Sequence, residues 1–261
     1  MDASPLRVTR NGAIFEVVID RPKANAIDNA TSRIMGEAFA EFRDDPDLRV
    51  AIVTGGGERF FSAGWDLKSA AEQDVYDDDY GVGGFGGMQE LPNLNKPIIA
   101  AVNGMAVGGG FEIALSADII LAAEHARFGL PEIKAGTLAD AATIKLPKRI
   151  PYHVAMDLLL TGRWMEAEEA KRWGIVKDIV PGNELMERAR ELAQLLASGP
   201  PLVFAALKDV VRVSENLTFK EAITKTIDGS LASCVTLYHS EDQKEGQRAF
   251  AEKRDPVWKG R

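Results

Sequence analysis

The chain has a single cysteine, Cys234, so it cannot close an internal disulfide, and no CxxC pair or Cys/His cluster offers a metal site. A lone cysteine of this kind reads as helix packing, because free Cys behaves as a small buried hydrophobe, and it suits a reducing, cytoplasmic setting. The three histidines, His125, His153 and His239, share no ligand-like spacing and are assigned no role. Long apolar runs are missing too. No stretch of about eighteen apolar residues runs without a charge, which leaves no candidate membrane-spanning helix. The opening Met1-Asp2-Ala3-Ser4-Pro5 lacks the basic-then-apolar pattern of a secretory signal. Positive charge is in short supply: 31 Lys and Arg against 39 Asp and Glu leave a net charge of −8. That balance argues against a basic face for nucleic acid, so any phosphate on a ligand must be met locally.

With 261 residues, 46% of them hydrophobic, the chain can bury one large core with a smaller appendage. Alternation through Ile14, Val17 and Ile19 predicts a strand, and residues 50–53 predict a second, buried one before Gly55-Gly56-Gly57. Between them, residues 29–42 have helical periodicity. Strand, helix, strand begins a right-handed parallel unit. The pattern recurs as a strand at 97–102, a glycine turn, a helix at 111–116 and a strand at 119–123. From Ala155 onward strands nearly vanish, and helices are expected at 155–160, 167–173, 184–197, 202–213, 219–237 and 240–253. Residues 71–90 stand apart, with Asp74, Asp77, Asp78 and Asp79 followed by five glycines around Tyr76, Tyr80 and Phe85. This segment reads as too flexible and too charged for core; it is either a solvated loop or a lid over a site.

Four clusters are candidates for chemistry. Phe61-Ser62-Ala63-Gly64-Trp65-Asp66-Leu67 is an ordinary connection, or a turn whose small residues let a ligand approach a backbone N–H. Gly108-Gly109-Gly110 opens an apolar helix, where unpaired N–H groups favour an anion or a developing oxyanion. A tight turn for close packing is the alternative, and the spacing is not the GxGxxG of a dinucleotide site. Glu112 lies in an apolar run, where a carboxylate is seldom buried without a partner or a purpose. Glu132 follows a proline between apolar neighbours, and burial would raise the pKa of either carboxyl group.

Taken in order, RPKANA (21–26), FSAGWDL (61–67), KPIIAAVNGMAVGGGFE (96–112), FGLPEIKAG (128–136), LTGRWMEAEEAKRWGIV (160–176) and SEDQKEGQRAFAEKRDPVWKGR (240–261) resemble the enoyl-CoA hydratase/isomerase, or crotonase, superfamily over nearly the whole chain. The resemblance implies an α/β fold: a crotonase (ClpP-like) spiral of ββα units over residues 1–195. A C-terminal helical region, residues 196–261, would assemble a homotrimer or a dimer of trimers. It implies a lyase that adds or removes water across the α,β-double bond of an acyl-CoA thioester, with Glu112 and Glu132 as the catalytic pair and the backbone N–H groups of Trp65 and Gly109 as the oxyanion hole. Coenzyme A contacts would come from Lys23, Ala24, Ala26, Ala63, Asp66 and Leu67, and from Phe250 and Lys253 of a neighbouring subunit. No cofactor beyond the CoA of the substrate, no metal, no nucleic acid and no membrane partner is implied.

The stretches SAGWDLK and AEKRDPVWKGR are most similar to members acting on carnitinyl-CoA and crotonobetainyl-CoA, which implies a trimethylammonium group held in a pocket with Tyr76, Tyr80 and Asp140. A hydratase or isomerase of another short or fatty enoyl-CoA, and a catalytically silent CoA-binding relative, are the alternatives. One departure stands out. After Glu132 relatives carry Gly-x-x-Pro-Asp/Gly-x-Gly-Gly, whereas this chain has Gly136-Thr137-Leu138-Ala139-Asp140-Ala141-Ala142-Thr143, a change that bears on hydratase efficiency and substrate choice.

Overall fold

Short runs of β-branched and small apolar residues, buried on both faces, form the middle of a parallel sheet. The computed structural model describes residues 4–66 and 79–261. One compact unit comprises the described residues of 1–94 and 98–193, the other residues 95–97 and 194–261.

In the first unit, the six-stranded sheet has the order β1 (Leu6–Asn11), β2 (Ile14–Ile19), β3 (Val50–Gly55), β5 (Ile98–Val102), β7 (Ile119–Ala123) and β10 (Asp178–Val180). All neighbours are parallel except the β1–β2 hairpin. A second sheet contains β4 (Phe60–Ser62), β6 (Met105–Val107), β8 (Arg127–Gly129) and β9 (Trp164–Glu166), antiparallel only between the last two. Each of β3, β5 and β7 is therefore followed by a three-residue strand in the other sheet. With the helices that return the chain, this is the repeated ββα step of a spiral.

Helix α1 (Asn29–Asp44) is capped by Asp28, whose carboxylate accepts from the Thr31 N–H, and it buries Met35, Phe39 and Phe42. The short α2 (Gly109–Ala114) and α3 (Glu132–Ala135) follow β6 and β8, and α4 (Asp140–Arg149), α5 (Tyr152–Thr161), α6 (Ala167–Arg172) and α7 (Leu185–Ala197) continue the chain. The buried Glu16 of β2 is held by Arg190 in a two-pronged ion pair, at 2.7 and 2.8 Å.

Several elements differ from expectation. Strand β1 has no readable apolar alternation, because only Leu6 is buried, and it exists through pairing with β2. The helix expected at 111–116 starts two residues earlier, on the glycines. The one expected at 219–237 breaks into α9 (Phe219–Ile227) and α10 (Ala232–Tyr238), with Gly229 at φ +81° between them.

The glycine-rich part of segment 71–90 is corrected more sharply. Gly83, Gly84, Gly86, Gly87 and Met88 are buried rather than solvated. A Cβ on Gly87, whose φ is +75°, would lie 2.4 Å from the Gly36 nitrogen and 2.5 Å from the Met35 carbonyl carbon of α1. Glycine here lets backbone pack on backbone. Asp74, Tyr76, Asp77 and Asp78 lie outside the described residues.

The second unit comprises α8 (Pro201–Ser214), α9, α10 and α11 (Glu241–Glu252). Lys208 joins residues 95–97 to it by donating to the Lys96 carbonyl at 2.8 Å. Asp242, 2% exposed, accepts the N–H groups of Lys259 and Gly260 and so fixes the C-terminal residues on α11. Cys234 is buried, as expected. Among the described residues no helix is long and apolar enough to cross a membrane.

Gly87→Ala is expected to lower stability by roughly 2 kcal/mol or more, because both the added methyl and the positive φ are opposed by main chain that cannot yield. A melting temperature equal to that of the parent protein would refute the packing of this segment on α1.

Candidate active site

The segments 21–28 and 62–66 are far apart in sequence but stitched together. The Ala63 N–H donates to the Ala24 carbonyl at 2.9 Å, the Ser62 hydroxyl to the Asn25 carbonyl at 2.7 Å, and the Ile27 N–H to the Gly64 carbonyl at 2.7 Å. Arg21 pairs with both Asp28 and Asp66, at 2.8 and 2.7 Å. Lys23, Ala24, Ala26, Ala63 and Asp66 thus form one neighbourhood, although the Asp66 carboxylate is engaged by Arg21. Leu67 lies outside the described residues. Phe250 and Lys253 belong to the second unit, on α11 and at its left-handed C-cap, with Phe250 89% exposed.

Gly64 brings the next layer into contact. With φ at +77°, it has no room for a side chain: a Cβ would lie 2.5 Å from the Val107 carbonyl oxygen and 2.7 Å from the Gly109 nitrogen. The main chain of the FSAGW turn therefore lies directly against the glycine turn that opens α2. Neither the Trp65 nor the Gly109 N–H has an acceptor among the described residues. The two readings of the glycine turn, close packing and available amides, are both realised.

Trp65 and Gly109 line a cleft of about 630 Å³ together with Glu112, Glu132, Tyr80 and Asp140. Glu112 is 7% exposed on α2, and its Oε1 accepts the Ala142 N–H at 2.8 Å. That N–H comes from the altered turn after Glu132, so Ala142 retains a backbone donor there. Burial is the main cause that raises the Glu112 pKa, with Asp140 adding to it; the Ala142 N–H and Lys145 oppose the rise.

Glu132 opens α3 after Pro131. Its Oε2 is buried without a hydrogen-bond partner, and its Oε1 would lie 2.6 Å from a Cβ on Gly108. Burial pushes this carboxyl up to about 7, against its own backbone N–H, and the nearby charges of Glu112 and Asp140 push in the same direction as burial. A group near 7 can hold or release a proton at neutral pH.

Sequence reasoning missed other parts of the lining: Phe85, Gln89 and Glu90 on one segment, and Ala141, Ile144 and Lys145 on α4. The i, i+3, i+4 spacing of the last three was the readable signal. Phe85 was noticed only as an aromatic in a glycine run; its ring covers Gly109, where a Cβ would lie 2.4 Å from Cε1. Lys145 is fixed by donating to the Ser116 hydroxyl at 2.7 Å.

The parallel spiral thus presents the buried Glu112, the half-buried Glu132 and two available amides to one cleft. The enoyl-CoA hydratase/isomerase family model matches residues 9–261. The chain belongs to this family, and it is an enzyme of the hydro-lyase kind acting on acyl-CoA thioesters. It is 56% identical over 257 residues to the carnitinyl-CoA dehydratase of Salmonella typhimurium, an alignment covering 98% of each chain. Among solved structures, enoyl-CoA hydratase from Mycobacterium tuberculosis superposes with a TM-score of 0.89 at 37% identity, covering 99% of this chain and 100% of that one. The enzyme of the same name from Bacillus anthracis gives 0.86 at 30%, covering 98% and 100%.

Because the folded pKa of Glu132 lies above its unfolded value, this group favours folding below pH 4.5, and that contribution disappears as pH rises through about 7. Glu132→Gln is therefore expected to stabilise the protein by about 1–3 kcal/mol at pH 8 and to leave it nearly unchanged at pH 5. Thermal melts at the two pH values check this; equal shifts at both would mean that Glu132 is not buried as an ionisable group.

Proposed function

We propose that the enzyme interconverts crotonobetainyl-CoA and carnitinyl-CoA, with Glu112 and Glu132 as its acid/base pair and the N–H groups of Trp65 and Gly109 as donors to the thioester oxygen. The observation that carries the chemistry is the meeting in one cleft of two pKa-raised carboxyl groups, the buried Glu112 and the half-buried Glu132, with two available amides. The acyl group is supported by the likeness to carnitinyl-CoA dehydratases.

In the hydration direction, ionised Glu112 takes a proton from water as the oxygen bonds to Cβ. The double-bond electrons shift towards the thioester oxygen, where each N–H donor stabilises the developing enolate by roughly 3 kcal/mol. Protonated Glu132 then delivers its proton to Cα. The pair finishes with Glu112 protonated and Glu132 ionised, and dehydration runs the same steps in reverse from that state. One proton shared between two coupled carboxyls serves both directions.

Coenzyme A would rest against Lys23, Ala24, Ala26, Ala63 and Leu67, beside an Asp66 that keeps this turn in place. The exposed Lys23 is suited to meeting phosphate locally in an acidic chain. We further infer a homotrimer or a dimer of trimers assembled through the C-terminal helices, with Phe250 and Lys253 reaching a neighbour's CoA. Large apolar side chains left open in the second unit, Phe219 at 84% and Ile227 at 77% exposure, support this. A cytoplasmic location accords with the single, unpaired Cys234.

Either Glu112→Gln or Glu132→Gln is expected to lower kcat/KM by roughly 10²–10⁴-fold, with water addition to crotonobetainyl-CoA followed by mass spectrometry. Retained double-bond migration without water addition would instead identify an isomerase. Wild-type kcat/KM should fall above pH 7 as Glu132 ionises in a pair that must keep one proton. Because the reaction takes up no net proton, the same profile is required in both directions, and a pH-independent rate from 6 to 9 would remove Glu132 from the mechanism.

A further inference from the structure

The cleft carries more negative charge than the water chemistry uses. Glu112 and Glu132 must change protonation in each turnover, so neither can be a fixed counter-charge. Asp140, the first residue of α4, lies close enough to Glu112 and Glu132 for its charge to raise the pKa of both, so it belongs to the electrostatics of that pair. Glu90 is different: it lines the same cleft, and no Lys, Arg or His side chain pairs with its carboxylate among the described residues.

Its position is set by the buried glycine segment. The Glu90 N–H donates to the Gly83 carbonyl at 3.0 Å, and Oε1 rests on Gly84, where a Cβ would lie only 2.4 Å away. The next residue, Phe85, packs edge-to-face with Tyr80 at 5.7 Å between ring centroids, and its own ring covers Gly109. An aromatic wall thus extends from the amide assigned to the thioester oxygen towards a carboxylate that no basic side chain pairs among the described residues.

A quaternary ammonium has no N–H to donate. It is held by aromatic rings and by Coulomb attraction to a carboxylate that other donors have not claimed. In a substrate whose nitrogen is one methylene beyond Cβ, the cation sits beside the reacting bond, and Tyr80, Phe85 and Glu90 line the cleft that holds Glu112 and Glu132. We propose that Glu90, with the rings of Tyr80 and Phe85, is the element that selects a cationic acyl group over a neutral one of the same shape. This rests on the substrate class put forward above, and it assigns the selection to a residue that takes no part in proton transfer.

The test compares kcat/KM for crotonobetainyl-CoA with that for its neutral isostere, in which a tert-butyl group replaces trimethylammonium. Wild type, Glu90→Gln and Asp140→Asn are each measured on both thioesters. Wild type should prefer the cation, and Glu90→Gln should reduce that preference about tenfold, mainly through KM, while turnover of the isostere stays within about twofold. Turnover of the isostere also reports that the variant is folded. A preference unchanged in Glu90→Gln, or lost only in Asp140→Asn, overturns the assignment to Glu90 and leaves the proposed reaction standing. Failure of the wild type to hydrate crotonobetainyl-CoA overturns the substrate reading itself.

Discussion

Main chain touching main chain is the constraint on which the site depends. The turn after β4 and the turn before α2 approach so closely that Gly64 cannot carry a methyl group without striking the Val107 oxygen and the Gly109 nitrogen. That contact sets Trp65 beside Gly109, and it is possible only because two short strands, β4 and β6, pair in the second sheet. The second sheet in turn exists because each long strand of the first is followed by a three-residue strand that leaves it. The spiral is therefore a means of bringing successive turns of the chain edge to edge, so that one amide from the first turn, one amide and Glu112 from the second, and Glu132 from the third face one space.

Function and stability oppose each other in that space. Glu132 has a buried oxygen with no partner among the described residues, and Glu112 is held by backbone N–H groups of α4, among them that of Ala142. A fold selected for stability alone would replace both with neutral groups. Burial raises both pKa values, and repulsion from Glu112 and Asp140 adds to the effect on Glu132, which fits that group to the proton exchange proposed for it. The six-stranded sheet tolerates this cost: its central strands β3 and β5 are buried throughout, and its one buried carboxylate, Glu16, is fully matched by Arg190.

Much of this was readable from residue order. The strands at 50–53 and 119–123 and helix α1 are strong periodic or β-branched runs, and they fold as such. The carboxyls Glu112 and Glu132 stood out because charged residues in apolar runs require a reason. Less was legible where burial comes from a neighbour rather than from the segment itself. Strand β1 has almost no apolar face of its own. The glycines at 83–87 look like a flexible tether in composition, yet they are packed against α1 because absent side chains permit close approach as well as freedom.

What the amino-acid sequence determined by itself is the chemistry at hand: which carboxyls could be buried, which turns expose amides, and that no cysteine or histidine cluster competes for the role. Only the tertiary structure decided that Ala142 offers its N–H to Glu112, that Phe85 covers Gly109, and that Glu90 lines the same cleft with no basic side chain paired to it among the described residues. Those relations join residues more than twenty positions apart, as Phe85 and Gly109 are, or depend on the direction of a side chain across a turn. Local propensity and periodicity carry no information about either, since both are set by how the spiral closes.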